Sequence, residues 1–154
     1  GEQPEKTKSN RIQRVQHSRY NGGPNFPLTV RISCTEYEPD GISNEDTVQI
    51  SKCMESIGID AIHVSGGNHH MMIHQVTPMS LPVCYNTCDA AEIKKHVTIP
   101  VIASGSITLP EYAEDIIASG KGDFVGLGRP LLADQYRPAR AEANHQEEIR
   151  PCIR

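Results

Sequence analysis

Short apolar runs alternate with helix-like stretches along most of this chain. Leu28 to Ile32 reads as a strand. Ser43 then looks like a helix N-cap, with Glu45 and Asp46 suitably acidic in the first turn. Ile50, Cys53, Met54 and Ile57 recur on one helical face, and Gly58 stands where a C′ glycine belongs. Ala61 to Val64 is the next apolar run, closed by Ser65-Gly66-Gly67. A long loop over 68–88 follows. Asp89 then opens a short helix with Glu92 at the N3 position, a capping-box-like arrangement. Ile99 to Ala103 predicts a third strand. Pro110 suits the first position of a helix that ends at Gly120, with Ile116 and Ile117 facing inward. Phe124 to Leu127 predicts a fourth strand, and a further helical turn begins near Leu131.

This succession is four β-α units with no hairpin signal. It predicts an α/β fold with a parallel sheet, whose functional groups gather at the C-terminal ends of the strands. Four units make a small open sheet or half of an eight-stranded barrel. A full barrel typically needs about 250 residues, and the chain has 154. Three regions are expected: a polar N-terminal arm over 1–23, the α/β segment over 24–135 and a charged tail over 136–154. The arm has one candidate helix, around 11–19, whose only apolar points are Ile12 and Val15. So thin a stripe buries little, so a frayed arm is expected.

Composition narrows the function. A formal net charge of −4 with no basic stripe argues against a nucleic-acid surface. There is no apolar run of about eighteen residues to span a membrane. The polar start is unlike a signal peptide, so a cytoplasmic location is expected. The five cysteines are irregularly spaced, which points to reduced thiols rather than a disulfide framework. The expected partner is a small-molecule substrate. Unpaired sheet edges add a tendency to self-associate.

The chemistry concentrates in two turns. Ser104-Gly105-Ser106 closes the third strand and Gly128-Arg129 closes the fourth. Glycine lets a ligand approach the backbone, helix-start amides suit a phosphate, and arginine adds a forked positive charge. The plainer reading is tight turns beside a surface arginine. Arg31, between Val30 and Ile32, is costly in a buried strand unless it has a partner. His63 and Ser65 end the second strand and are within reach of a ligand there, though a core histidine is an equal reading. His69, His70 and His74 lack a supporting carboxylate, so no metal site is expected. Cys84 and Cys88 match no redox spacing and read as free thiols.

Several segments in order and in spacing resemble one family. They are Val30-Arg31-Ile32-Ser33, Ile62-His63-Val64-Ser65-Gly66-Gly67, Ile99-Pro100-Val101-Ile102-Ala103, Val125 to Asp134, and Glu148-Ile149-Arg150-Pro151-Cys152-Ile153. Together they resemble the FMN domain of the old yellow enzyme family of NADH:flavin oxidoreductases. Thr77-Pro78-Met79 fits its 2,4-dienoyl-CoA reductase-like branch. The resemblance covers about residues 25–154 and implies a partial TIM barrel, equivalent to strands five to eight.

It also implies FMN as cofactor, NAD(P)H as reductant and hydride transfer to an activated C=C bond. Arg31 would lie near the N1/C2 edge of the flavin, where positive charge stabilises the reduced anion. Ser104, Gly105, Ser106, Gly128 and Arg129 would hold the phosphate. The family's histidine pair and tyrosine proton donor belong to the earlier half of the barrel. No catalytic residue is therefore assigned, and the chain alone is expected to be inactive. In the iron–sulfur branch a cysteine after Ile-Arg-Pro opens a Cys-x-x-Cys motif. Cys152 would be the first ligand, and only a longer chain could complete the cluster. Two other readings remain open on the residues. One is a non-flavin half-barrel that binds a sugar phosphate or nucleotide. The other is a non-enzymatic truncated remnant.

Overall fold

The computed structural model describes residues 3–153. In chain order the elements are α1 (Gln3–Gly22), β1 (Thr29–Ser33), α2 (Asn44–Ser56), β2 (Ala61–Ser65), α3 (Met72–Gln75), α4 (Thr87–Lys94), β3 (Val101–Ser104), α5 (Pro110–Ala118), β4 (Phe124–Gly126), α6 (Arg129–Ala133) and α7 (Arg137–Glu142), with a 3-10 turn at Gln146–Glu148. The four strands form one parallel sheet in the order β1-β2-β3-β4, so β1 and β4 are its edges.

Alternation along the strands separates two faces. Ile32, Ile62, Val64, Val101 and Ala103 point to the helix side and are buried in the core with Met54 of α2, Ile93 of α4 and Ile116 of α5. Burying each of the larger of these side chains stabilises the fold by roughly 1.5–3 kcal/mol. On the other face Arg31 is exposed and His63 and Ser104 are half-buried. This is the sidedness of part of a β/α-barrel, with one face covered by helices and the other open. Arg31 is therefore not enclosed between two apolar layers, as a strand buried on both faces would require.

Local chemistry sets the starts of α2 and α5. Asp46 N donates to Ser43 Oγ at 3.2 Å and Ser43 N donates to Asp46 Oδ2 at 3.1 Å, a reciprocal cap on α2 worth about 1 kcal/mol. Pro110 occupies the first turn of α5. Ile116 faces the core as expected, but Ile117 is 40% exposed.

Two expectations need correction. The N-terminal stretch is a 20-residue helix, α1, rather than a frayed arm. Its anchor is polar as much as apolar. Val15 is buried, and Arg19 ties the end of α1 to the α2–β2 turn through Asp60 at 2.7 Å and to Phe26 O at 2.6 Å. Secondly, α4 begins at Thr87, and Asp89 does not cap it. Asp89 instead accepts from Asn44 Nδ2 at 2.8 Å and Thr35 Oγ1 at 3.3 Å, so tertiary donors outcompete the local cap. The charged tail carries a short helix, α7. Arg137 is buried and donates to Thr108 O, while Asp134 accepts from Arg140 and from the amides of Tyr136 and Arg150, each at 3.0 Å.

The Arg150 amide, then the Arg140 guanidinium, hold the Asp134 carboxyl below its ordinary range. A carboxylate depressed in the folded state adds stability above its unfolded pKa of about 3.9 and loses it as pH falls through the folded value. Asp134→Asn is thus expected to lower the urea midpoint at pH 7, with the difference from the parent vanishing as pH drops below about 4. A difference that persists undiminished at pH 2.5 to 3 would show that the charge is irrelevant.

Candidate functional site

A groove of about 400 Å³ lies at the C-terminal ends of the strands. It collects Arg31 from β1, His63 and Ser65 from β2, Ser104, Gly105 and Ser106 after β3, and Gly126, Gly128 and Arg129 around the end of β4. All six residues singled out from the sequence for cofactor binding line this one groove. The residues lining it include two arginines and no carboxylate, in a chain whose formal net charge is −4. That imbalance gives the groove a local positive potential suited to an anion.

The turn after β3 is conformationally unusual. Gly105 has φ +117° and Ser106, a non-glycine, has φ +52°. Left-handed backbone at a serine costs of order 1 kcal/mol and persists only where the surroundings impose it. The imposing neighbour is Asn86, which is 2% exposed and packs against both the Gly66 and Gly105 turns. A Cβ on Gly105 would meet Asn86 Nδ2 at 3.0 Å. Among the described residues Ser106 Oγ and Asn86 Oδ1 are buried without a hydrogen-bond partner. A buried hydroxyl lining the same groove as two arginines can donate to a ligand's acceptor.

The arginines are held from behind. Arg129 Nη1 donates to Thr77 O at 3.1 Å, pinning the end of β4 to the long loop. Arg31 Nη2 donates to Ser65 Oγ at 3.1 Å. Ser104 differs from expectation, because its hydroxyl donates to Val64 O at 2.6 Å and so offers a ligand only lone pairs. Gly128 precedes a helix of only five residues, so little helix dipole is available there, and the positive charge of this corner comes from Arg129.

His63 lies close to β4, where a Cβ on Gly126 would come within 3.0 Å of its Nε2. Burial, then the nearby Arg31 charge, push its pKa below the ordinary histidine value. Both effects favour the neutral ring, and Nε2 has no hydrogen-bond partner among the described residues. Sequence reasoning missed Thr77 as the arginine anchor, and with it Gln75, Tyr85 and Asn86, which also line the groove. They sit in the loop over 68–88, and apart from the resemblance carried by Thr77-Pro78-Met79 nothing in their spacing marks them. Of the loop histidines, His74 stacks on Tyr37 with ring centroids 3.8 Å apart. No disulfide links cysteines among the described residues. Among the described residues, no helix is long and apolar enough to cross a membrane.

Parallel strands with one helix-covered face, and an anion-suited groove at the strand ends, define a piece of a β/α-barrel. Comparison with known proteins sharpens this. The sequence profile of the NADH:flavin oxidoreductase / NADH oxidase family matches residues 12–148, and the chain belongs to that family. It is 41% identical over 131 residues to an NADH oxidase of Thermoanaerobacter brockii and 39% identical over 131 residues to a metal reductase of Desulforamulus reducens. A bilirubin reductase of Mediterraneibacter gnavus is 37% identical over 115 residues. The first two matches cover 85% of this chain, which spans about a fifth of their length. A solved 2-naphthoyl-CoA reductase in complex with 2-naphthoyl-CoA superimposes with a TM-score of 0.85 at 23% identity, over 94% of this chain and 22% of its own. At that identity the likeness carries the fold, and it identifies the four strands as part of a TIM barrel.

Proposed function

We propose that this chain forms the phosphate-side wall of an FMN site, in an oxidoreductase that carries hydride from NAD(P)H to an activated C=C substrate. The observation that carries the reading is the groove with two guanidinium groups, an orphaned buried hydroxyl and no lining carboxylate. Membership of the NADH:flavin oxidoreductase family supports FMN over other phosphate-bearing ligands.

The residues present fit the group. Arg129, anchored through one N–H to Thr77, retains further N–H groups to donate to phosphate oxygens. Ser106 Oγ would gain the acceptor it lacks. Gly105, with no side chain, leaves the floor of the turn open to a phosphate. Arg31, steadied by Ser65, would place positive charge near the N1/C2 edge of the ring. His63, kept neutral by burial and by Arg31, would offer its ring face or Nε2 without adding charge. When bound, FMN supplies the hydride chemistry, and the chain supplies grip, orientation and positive potential.

Titration of FMN into the protein tests this. Saturable quenching of flavin fluorescence is expected, and Arg129→Ala should weaken binding about tenfold, the equivalent of one charge-assisted hydrogen bond. Ribose 5-phosphate should compete more weakly than FMN. If FMN binds no better than inorganic phosphate, the flavin reading fails and a non-flavin phosphate site takes its place.

A further inference from the structure

We propose that Tyr37 is a positioning residue for the anion corner: its ring pins α3, and α3 sets the Thr77 carbonyl that anchors Arg129. The inference rests on reading the groove as an anion site. It extends that reading to the loop between β1 and α2, whose residues are not among those that line the groove.

The backbone of Tyr37 marks the position. Its φ is +59°, a left-handed conformation that suits glycine and in which a bulky residue is an outlier. Such strain persists only where the surroundings impose it. The ring contact with His74 does so, at 3.8 Å between centroids and 15° between planes. Burial, then the Asp89 charge, push the Tyr37 phenol up to about 12, so the stacked ring is uncharged at neutral pH. His74 Nδ1 is buried and has no hydrogen-bond partner among the described residues. Stacking, rather than a hydrogen bond at that nitrogen, therefore fixes the His74 ring.

α3 cannot hold its own place. It has four residues, none of them buried, and no side-chain bond at its N-terminus. A single helical turn of that kind is unstable alone, so its position comes from its neighbours. The β1–α2 loop meets the chain around α3 at three points. Gly67 N donates to Thr35 O at 2.8 Å, Asn68 Nδ2 donates to Glu38 Oε2 at 3.0 Å, and Tyr37 covers His74. Asn68 Oδ1 in turn accepts from the His70 and Met71 amides, each at 2.9 Å, just before the helix. From another side the Tyr85 hydroxyl donates to His74 O. Of these contacts, the ring stack and the Tyr85 bond are the ones that touch α3 itself.

The link from α3 to the groove is short. Gln75 and Val76 alone separate His74 from Thr77. Thr77 is buried, and its carbonyl accepts from Arg129 Nη1 at 3.1 Å. A shift of α3 passes directly to this carbonyl, and the guanidinium then loses its fixed aim at a phosphate. Arg129 keeps its charge in that case, so what is lost is pre-organisation.

Titration of the full chain with FMN, followed by fluorescence, and with inorganic phosphate, followed by phosphorus NMR, tests this. Tyr37→Gly removes the ring at a backbone that suits glycine. It should weaken both ligands about fivefold, the equivalent of one stacked aromatic pair. Tyr37→Phe keeps the ring and should bind within about twofold of the parent. His74→Leu removes the other ring and should match Tyr37→Gly, and the two together should lose little more than either alone. In an Arg129→Ala background Tyr37→Gly should cost less than about twofold. A purely structural role would lower the urea midpoint and leave these affinities unchanged, and that result overturns the proposal. So does a Tyr37→Phe loss as large as that of Tyr37→Gly, or a loss that persists undiminished without the Arg129 guanidinium. If FMN binds no better than phosphate, the flavin reading fails and the phosphate series alone decides the role of Tyr37. Binding of neither ligand overturns both, because no anion corner is then there to position.

Discussion

Gly105→Val is expected to destabilise the fold by about 2–4 kcal/mol and to abolish detectable FMN binding. Two costs combine. The backbone at φ +117° lies outside what a β-branched residue tolerates, and forcing it there costs of order 1–3 kcal/mol. The new Cβ would also stand 3.0 Å from Asn86 Nδ2 and 3.2 Å from its Cβ. Asn86 is buried between two turns and has little room to swing aside, so the strain passes to the Ser106 side of the groove. The binding loss is larger than for Arg129→Ala, because the turn itself would move. Urea unfolding and a flavin titration read the two effects separately. Gly128→Ala is the control, since an added Cβ there meets nothing within 4 Å. It should stay within about 0.5 kcal/mol of the parent. Equal behaviour of the two variants would show that the Gly105 turn is not the constrained element.

The sheet was legible because its apolar runs are short, bounded by small residues and spaced by helical stretches. The Ser43 cap and the Pro110 start were legible for the same reason, since each is a local interaction written within one helical turn. The groove was legible in part. Gly105, Ser106 and Arg129 follow apolar runs, and parallel topology alone brings those ends together. What escaped is held by long-range polar contacts. Arg19 fastens a very polar helix to residues 39 and 41 positions away, Gly58 and Asp60, so apolar periodicity could not reveal it. Asp134 does the same for the tail by gathering donors from α7 and beyond. Asp89 satisfies every local rule for a cap, and the structure spends it on Asn44 and Thr35.

The second large effect concerns Gly67, which ends the β2 turn under α3. Gly67→Val is expected to cost about 3–5 kcal/mol, a larger loss of stability than at Gly105. The φ of +74° disfavours a β-branched residue here too, but the neighbours differ in kind. A Cβ would sit 2.7 Å from Gln75 N and 2.9 Å from His74 C, both backbone atoms. Backbone cannot change rotamer, so α3 itself must be displaced. That helix leads directly to Thr77, whose carbonyl anchors Arg129 across the groove. The variant should therefore lose stability and phosphate affinity together, and Arg129→Ala added to it should weaken binding by much less than tenfold. Full additivity of the two substitutions in a flavin titration would show that α3 does not set the position of Arg129.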